Sequence, residues 1–197
     1  MLKYLPKDIR RTLEFGCGFG GFSSLIKKTY NAEVWAVELD EKASLEASKK
    51  LDRVINKDAN GSLSDIPDHY FDCIIFLDVL EHLVDPYTLL KKIKSKICDN
   101  GIVLASIPNI RYYRAFVSYA LKGEWPYKEH GIFDRTHLRF FTYKSIIKMF
   151  DDTGYEISLI EGIHRTSSRT YKLINCLLFN SLRDVGYKHF AVVAKPK

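Results

Sequence analysis

The alternation of strand-like and helix-like segments along the first half of the chain is the feature that most restricts its fold. Short apolar or β-branched runs alternate with segments whose apolar residues have helical spacing. The predicted strands are Arg11 to Phe15, Glu33 to Val37, Asp52 to Lys57, Phe71 to Leu77 and Gly101 to Ile107, and the predicted helices are Phe22 to Thr29, Glu41 to Lys50 and Pro86 to Cys98. This order predicts a doubly wound α/β fold with right-handed crossovers and ligands at the carboxyl ends of the strands.

The regular alternation of strands and helices is interrupted in the second half of the chain. Residues 109–141 are rich in aromatic side chains and predict a helix followed by an irregular loop, which forms either a lid over a substrate or part of the core. Helices at Tyr143 to Asp152 and Thr170 to Val185, and strands at Tyr155 to Glu161 and His189 to Ala194, follow this insertion. We therefore expect one domain over residues 1–197, with a mostly parallel seven-stranded sheet and helices on both faces.

The last predicted helix carries an apolar stripe. Its positions at helical spacing are Ile174, Leu177, Leu178, Leu182 and Val185. A stripe of this kind most often packs into the core, but a homodimer surface and a membrane-facing surface are also consistent with it.

Composition limits the partners and the compartment. The 197 residues suit a single domain, and the net charge of +6 is spread over short lysine pairs, typical of solvated helix faces. An anionic substrate or a membrane surface would also explain the charge, ahead of nucleic acid. No apolar run is long enough for a transmembrane segment, and no signal peptide pattern is visible. Four scattered cysteines (Cys17, Cys73, Cys98, Cys176) indicate reduced thiols and a cytoplasmic protein.

The stretch "TLEFGCGFGG", from Thr12 to Gly21, follows the first predicted strand and fits two glycine spacings. Gly16, Gly18 and Gly21 satisfy G-x-G-x-x-G, the fingerprint of a nicotinamide dinucleotide site. The same stretch also reads as E-x-G-x-G-x-G from Glu14 to Gly20. A carboxylate close to the loop suits a cationic ligand better than a pyrophosphate, which binds at a helix N-terminus. The second spacing is therefore favoured.

Carboxylates also follow the next three predicted strands, with Glu38, Asp58 and Asp78 at the second, third and fourth strand ends. Any single acid at such a position could simply cap the following helix. Four acids together fit a ligand with two ribose hydroxyls, an adenine amine and a positive charge, and they fit a pyrophosphate poorly. S-adenosyl-L-methionine has that combination of groups.

The motifs in order resemble those of the class I S-adenosylmethionine-dependent methyltransferases across essentially the whole chain. The matching stretches are "LEFGCGFG", "VWAVELD", "NKDAN", "FDCIIFLDVLEHLVDP" and "GIVLASIPN". More narrowly, "DVLEHL", "SIPNIRYY" and "GIFDRTHLRFFT" resemble a bacterial branch grouped with ubiquinone-biosynthesis-type O-methyltransferases, whose members often accompany glycan-building genes. The family usually carries a covering helix ahead of the glycine motif. Only Met1 to Arg10 precede it here, which predicts a more open site or a cover from another subunit or segment.

The resemblance implies a role for each matching position. Glu14 would hold the ammonium of the cofactor directly or through water, Glu38 would accept from both ribose hydroxyls, and Asp58 would accept from the adenine amine. Asp78 would lie near the methyl-bearing end. The full set of implied cofactor-binding residues is Glu14, Gly16, Cys17, Gly18, Gly20, Glu38, Leu39, Asp58, Ala59 and Asp78. No metal ligand is predicted.

Methyl transfer to a hydroxyl requires alignment and removal of a proton, and histidine is well suited to the second task. His137 is a candidate general base, with a hinge or packing role as the alternative. His82 is a second candidate and has a structural or cofactor-side role as its alternative, and Asp78 completes the candidate catalytic set. The residues predicted to meet the acceptor are Asn109, Arg111, Tyr112, Tyr113 and Arg135.

The sequence thus predicts a cytoplasmic methyltransferase that uses S-adenosyl-L-methionine and releases S-adenosyl-L-homocysteine. Its acceptor would be a small or lipid-linked molecule, anionic acceptors included, methylated at oxygen on a sugar-like or quinone-like group. The fourth strand ends in "LDVL" and lacks the N/D-P-P-Y of enzymes that methylate exocyclic amines, so an RNA methyltransferase is disfavoured. A non-catalytic cofactor-binding partner or sensor, and a nicotinamide dehydrogenase, are the remaining alternatives.

Overall fold

The computed structural model describes residues 1–197, except for the side chain of Ile174. Strands and helices alternate along the chain as the sequence predicts. The strands are β1 (Arg11–Phe15), β2 (Glu33–Val37), β3 (Arg53–Ile55), β4 (Phe71–Leu77), β5 (Ile97–Pro108), β6 (Tyr155–Arg165) and β7 (Tyr187–Pro196). The α-helices are α1 (Gly21–Tyr30), α2 (Glu41–Ser48), α3 (Pro86–Ile93), α4 (Tyr113–Phe116), α5 (Tyr143–Asp152) and α6 (Arg169–Leu177). The bounds of β1, β2, β4 and α5 agree with the prediction at both ends.

The strands form one sheet in the order β3-β2-β1-β4-β5-β7-β6. Strands β1 to β5 pair in parallel, whereas β7 runs antiparallel to both β5 and β6. The predicted mostly parallel seven-stranded sheet is therefore confirmed. The strand order reverses between β1 and β4, so the crevice in which doubly wound sheets bind ligands opens at the carboxyl ends of these two strands.

Apolar side chains fill both faces of the sheet. Phe15 of β1 and Phe76 of β4 stack with ring centroids 4.9 Å apart in a cluster on one face. Cys73 and Ile75 of β4 belong to a second cluster on the other face. A parallel strand buried on both faces reads as a continuous apolar run, which explains why β4 was recognisable in the sequence.

Helix α3 is shorter than predicted. It ends at Ile93 and is followed by a 3₁₀ turn over Lys94–Lys96, whereas the helical pattern in the sequence continues to Cys98. Ile97 extends the apolar spacing of the helix, but it is the first residue of β5 and pairs with Phe71 of β4. The prediction was wrong here because a buried apolar residue fits a helix face and a sheet equally well.

Helix α6 also ends early, at Leu177 and not at Val185 as predicted. Phe179 and Asn180 have positive φ values of 50° and 61°, which a right-handed helix does not tolerate. The side-chain oxygen of Asn175 accepts a hydrogen bond from the backbone N–H of Leu182 at 3.0 Å and closes the turn. Local side-chain hydrogen bonding therefore outweighs the helical pattern.

The predicted apolar stripe is divided between core and surface. Leu177 is 69% exposed and Leu178 is also exposed, whereas Leu182 is half-buried and Val185 is buried. The side chain of Ile174 lies outside the described residues. Within the described part of the chain, no helix is both long enough and apolar enough to cross a membrane.

The aromatic insertion has a small core of its own. After α4 the chain forms a π-helical turn over Val117–Leu121 and then an irregular loop, in agreement with the expected helix and loop. Ala115, Ile132 and Phe133 form a separate buried cluster, and the Trp125 ring lies 5.0 Å from that of Phe133. The insertion is therefore a packed unit at the carboxyl end of β5.

Candidate active site

The loop between β1 and α1 uses its glycines for left-handed backbone. Gly16, Gly18 and Gly20 have φ values of 67°, 53° and 75°, a region that residues with a Cβ rarely adopt. Gly21, by contrast, is the first residue of α1. The backbone therefore follows the E-x-G-x-G-x-G spacing and does not use Gly21, the third glycine of the dinucleotide fingerprint.

The carboxylate of Glu38 ties this loop to the end of β2. Its Oε2 accepts from the backbone N–H of Gly18 at 2.7 Å, and its Oε1 accepts from that of Asp40 at 2.9 Å. The N–H of Gly16 donates to the carbonyl of Val37 at 2.8 Å. Each carboxylate oxygen can still accept a second hydrogen bond, so Glu38 is available to a ligand while it holds the loop.

Glu14 lies beneath the loop and is only 3% exposed. The hydroxyl of Ser23 in α1 donates to its carboxyl group. Burial is the main cause that raises the pKa of Glu14 to about 7, against the hydrogen bond from Ser23. This geometry gives Glu14 a contact with α1, and its predicted contact with a ligand ammonium stays a prediction.

A cavity of about 330 Å³ opens where the carboxyl ends of the first four strands meet. Its wall combines carboxylates with apolar side chains, as a nucleoside-like ligand requires. The lining residues are Phe15, Gly16, Val37, Glu38, Leu39, Lys57, Asp58, Ala59, Asp78, Val79, His82 and Leu83. The predicted cofactor residues in the wall are Gly16, Glu38, Leu39, Asp58, Ala59 and Asp78, while Glu14, Cys17, Gly18 and Gly20 lie outside it.

Asp58, after β3, has a local role as well as a place in the cavity wall. Its Oδ1 accepts from the backbone N–H groups of Asn60 and Gly61, both at 3.0 Å. Oδ1 of Asp58 thus has the local capping role that was the alternative to ligand binding.

Asp78, at the end of β4, has a positive φ of 56° that directs the chain sharply away from the strand. Its Oδ1 accepts from the Ser106 hydroxyl at 2.7 Å, and its Oδ2 lies 3.7 Å from Nε2 of His189. Burial lowers the pKa of His189, although the charge of Asp78 opposes this shift. A non-glycine residue held in left-handed conformation at a cavity is typical of functional positions.

The charge of the cavity fits S-adenosyl-L-methionine. Glu38, Asp58 and Asp78 supply three carboxyl groups, with the apolar Leu39 and Ala59 beside them. Hydroxyl groups, an amine and a sulfonium are each stabilised by acceptors of this kind. Among the described residues, Lys57 is the one lysine in the wall. Its ammonium pairs with Asp65 at 2.6 Å. A pyrophosphate would be repelled here.

Two histidines and a buried glutamate meet at one end of the cavity. His82 lies in the cavity wall, and its ring centroid is 4.6 Å from that of His137. Nε2 of His137 lies 3.9 Å from Oε1 of Glu81. The backbone carbonyl of Glu81 accepts from the N–H groups of Leu138 and Arg139, both at 2.9 Å. These two hydrogen bonds fix the end of the insertion against the turn after β4.

The surroundings of this cluster set its protonation. Burial raises the pKa of the Glu81 carboxyl to about 8, and the negative charge of Asp78 adds to the effect. Burial likewise lowers the pKa of His137. Near neutral pH, both groups therefore favour their uncharged forms.

The residues predicted to meet the acceptor do not lie together. Asn109 is fully buried, and its amide nitrogen donates to the carbonyls of Asp184 and Tyr187 at 2.8 and 2.9 Å. Its Oδ1 accepts from the N–H of Arg111 at 3.0 Å. The polar atoms of Asn109 therefore already bond to the chain, and its predicted contact with the acceptor stays a prediction. Arg111 pairs with Asp184 at 2.7 Å.

The other three predicted acceptor residues lie within the insertion. The Tyr113 hydroxyl accepts from Arg114 at 2.8 Å, and Arg135 is exposed and pairs with Glu129 at 2.5 Å. Tyr112 lines a second cavity, of about 370 Å³, inside the insertion. Four basic side chains line the same cavity: Arg114, Lys128, His130 and Lys188.

Sequence reasoning missed Glu81 and His189. Glu81 lies within "DVLEHL", but a glutamate beside a histidine on a turn usually faces solvent. His189 lies in β7 at the end of the chain, and only the antiparallel pairing of β7 with β5 brings it to Asp78. No local signal in the sequence could have predicted either position.

Comparisons with known proteins agree with this geometry. A family model described as a methyltransferase domain matches residues 1–159. The ubiquinone biosynthesis O-methyltransferase of Aeromonas salmonicida is 25% identical over 162 residues, which cover 79% of this chain and 66% of that protein. A solved methyltransferase from Archaeoglobus fulgidus has a TM-score of 0.71 and 24% identity, with 96% of this chain and 87% of that chain covered. One from Mesorhizobium loti has a TM-score of 0.66 and 17% identity, with 96% and 93% covered.

This chain spans just under two thirds of the length of the Aeromonas salmonicida relative. The two solved structures are less than 25% identical to it and show the shared fold. The family model covers most of the chain, including the glycine loop, the four strand-end acids and the Glu81–His82–His137 cluster. The chain belongs to the methyltransferase-domain family, within the class I methyltransferases whose cofactor is S-adenosyl-L-methionine.

Proposed function

We propose that the protein transfers the methyl group of S-adenosyl-L-methionine to a hydroxyl oxygen of a small or lipid-linked acceptor. One observation supports this most strongly: His82 belongs both to the wall of the carboxylate-lined cavity and to the cluster with Glu81 and His137. The bound cofactor and the residues that accept the hydroxyl proton would thus be adjacent. The name of the Aeromonas salmonicida relative includes O-methyl transfer, which favours oxygen as the acceptor atom and a sugar-like or quinone-like group as its carrier.

When bound, the cofactor supplies a methyl group on a positively charged sulfur. The acceptor oxygen forms a bond to the methyl carbon as the carbon–sulfur bond breaks, and the hydroxyl proton is lost. The cavity wall orients the two reactants, which accounts for most of what a displacement at carbon requires. Asp78, His82 and His137 are the proposed catalytic set, acting on the hydroxyl proton where the cavity meets the cluster.

The two histidines differ in their access to the acceptor. His82 lines the cavity, whereas the His137 side chain lies behind it and is only 6% exposed. Nδ1 of His137 donates to the carbonyl of Ile132 at 3.2 Å, so its Nε2 carries the free lone pair and is directed toward Glu81. We therefore propose that the cluster acts as a unit, with His82 nearest to the acceptor.

The second cavity supports an anionic acceptor. It carries Lys128, Lys188 and Arg114 in its wall, and Ile132 joins it to His137. Phosphate or pyrophosphate groups, as in lipid-linked sugars, would be attracted to these side chains. A cytoplasmic location and a homodimer are part of this proposal. A nucleic acid acceptor is not, because the basic residues line a small cavity and not an extended surface.

The main alternative is a non-catalytic protein that binds the cofactor as a sensor or partner subunit. Mass spectrometry of a cell extract incubated with the purified protein and S-adenosyl-L-methionine tests the proposal. A product that is one methylene heavier than its precursor, with fragmentation that places the methyl on oxygen, would support it. Methylation at nitrogen, or cofactor binding without any methylated product, would contradict it.

A further inference from the structure

We propose that Glu81, His82 and His137 bind a divalent transition-metal cation beside the cofactor cavity. One potential ligand atom from each residue lies within 4.8 Å of the other two. Metal bonds to nitrogen and oxygen of about 2.0 to 2.2 Å place ligand atoms about 3 to 4 Å apart, so small side-chain rotations bring all three onto one ion. No local pattern in the sequence predicts this site, because His137 comes from the far end of the insertion.

Both imidazoles present a free lone pair. The Thr136 hydroxyl donates to Asp134 at 2.6 Å, so it accepts from Nδ1–H of His82, whose distance to the Thr136 oxygen is 3.0 Å. His137 also uses its Nδ1–H, which donates to the carbonyl of Ile132. In each ring, Nε2 is therefore the unprotonated nitrogen of the neutral form. A histidine whose other nitrogen is held by a carbonyl or a carboxylate-linked group is the usual arrangement around a bound metal.

Glu81 supplies the third ligand. Its side chain is 1% exposed, and within the described part of the chain neither carboxyl oxygen has a hydrogen-bond partner. A buried carboxyl group without a partner is costly, and Nε2 of His137 at 3.9 Å is too distant for a hydrogen bond. A cation among these three groups would satisfy the carboxylate and both lone pairs at once.

The ligand set selects the class of ion. Two imidazole nitrogens and one carboxylate suit Zn²⁺, Co²⁺, Fe²⁺ or Mn²⁺ better than Mg²⁺, which prefers oxygen ligands and retains water. Three protein ligands leave coordination positions open, and His82 brings those positions to the cavity wall. If the proposed function holds, an acceptor hydroxyl bound there would lose its proton more easily and would be held next to the methyl group. Both histidines would then bind the ion, so Asp78 in the cavity wall would accept that proton.

Metal binding can be tested without any acceptor. Protein treated with a chelator and then dialysed is titrated with Zn²⁺ by calorimetry, and with Co²⁺ while its visible absorption is recorded. We expect one ion per chain and a Co²⁺ spectrum typical of mixed nitrogen and oxygen ligands. The substitutions Glu81→Gln and His137→Gln should each weaken binding by at least about 100-fold, more than the loss of an outer hydrogen-bond partner.

Matched controls separate this site from adventitious binding and from misfolding. His69 is exposed and distant from the cluster in sequence, so His69→Gln should leave metal affinity unchanged. Binding of S-adenosyl-L-homocysteine should persist in Glu81→Gln and shows that this variant is folded. The proposal is overturned if wild-type protein binds no ion, or if Glu81→Gln and His137→Gln bind as tightly as wild type.

The role of the ion in catalysis requires a separate comparison. Chelated wild-type protein should retain cofactor affinity and lose methyl transfer, and added Co²⁺ or Zn²⁺ should restore it. Full turnover by metal-free protein would overturn the catalytic part and leave the proposed function intact. Metal bound at these residues, together with no methyl transfer under any condition, would instead refute the proposed function and leave the metal site intact.

Discussion

The carboxyl groups of this site lie in different surroundings. Glu38 accepts two backbone N–H bonds at the cavity wall. Glu14 and Glu81 are buried without a basic partner, and burial raises their pKa values to about 7 and about 8. The sequence predicted all the strand-end acids, but it gave no information about which of them would be charged.

Glu14 should make the stability of the protein depend on pH. Its folded pKa of about 7 exceeds the ordinary value of 4.5, so the folded state binds the extra proton between these values. The stability that this proton provides is complete below pH 4.5 and is lost as the pH rises to about 7. At about 1.4 kcal/mol per pKa unit, the loss is about 3 kcal/mol.

The substitution Glu14→Gln removes this titration and keeps an acceptor for Ser23. Relative to wild type, the free energy of unfolding of the variant should increase by about 3 kcal/mol between pH 4.5 and pH 8, as measured by urea denaturation. Glu156→Gln, on the surface of β6, is the control and should follow the wild-type profile. An identical pH profile for Glu14→Gln and wild type would show that Glu14 is already ionised in the folded protein.

The elements around the site were predicted to different degrees. The bounds of β1, β2 and β4 agree with the sequence because each strand is a short segment rich in apolar or β-branched residues. The predicted bounds of helices α3 and α6 extend too far along the chain. Apolar spacing alone does not show where a strand begins or where a side chain closes a turn. The Glu81–His137 contact depends on the path of the whole insertion, which no local pattern encodes.

The glycine loop allows the two candidate spacings to be compared directly. Gly20 has a φ of 75°, and a Cβ there would lie 3.2 Å from Ala47, whereas a Cβ on Gly21 would meet nothing within 4 Å. Gly20→Ala should therefore destabilise the protein by about 1 to 3 kcal/mol. Gly21→Ala should be neutral or stabilising by up to about 1 kcal/mol, because alanine favours a helix. Thermal unfolding that ranks the two variants in the reverse order would contradict the assigned backbone.

The insertion should bind anions through the basic side chains of its cavity. Calorimetry with inorganic pyrophosphate as the probe should show binding that weakens with added salt, since screening reduces such attraction. Lys188→Gln should reduce the affinity by about 10-fold, within the range of one charge-assisted hydrogen bond. Lys122→Gln, exposed and outside the cavity, is the matched control. Equal weakening by both substitutions would show that pyrophosphate binds through general surface charge.

At the scale of the whole molecule, the fold brings distant parts of the chain to one edge of the sheet. The reversal of strand order between β1 and β4 opens the cavity, and the antiparallel β7 brings His189 to 3.7 Å from Asp78 in its wall. Alternating segments were sufficient to predict this architecture from the sequence. The exposed Leu177 and the 95% exposed Phe179 show a surface that the sequence pattern alone did not separate from the core.

The most direct test of the central claim measures cofactor affinity and turnover in the same preparations of wild type, Glu38→Gln and the control Glu41→Gln. Loss of a charged acceptor should weaken S-adenosyl-L-methionine binding by about 10- to 100-fold and raise its KM by the same factor. The kcat at saturating cofactor should change little, because Glu38 lies away from the proposed acceptor end, and Glu41→Gln should match wild type. Methyl transfer with an unchanged KM in Glu38→Gln would show that the reaction takes place outside this cavity.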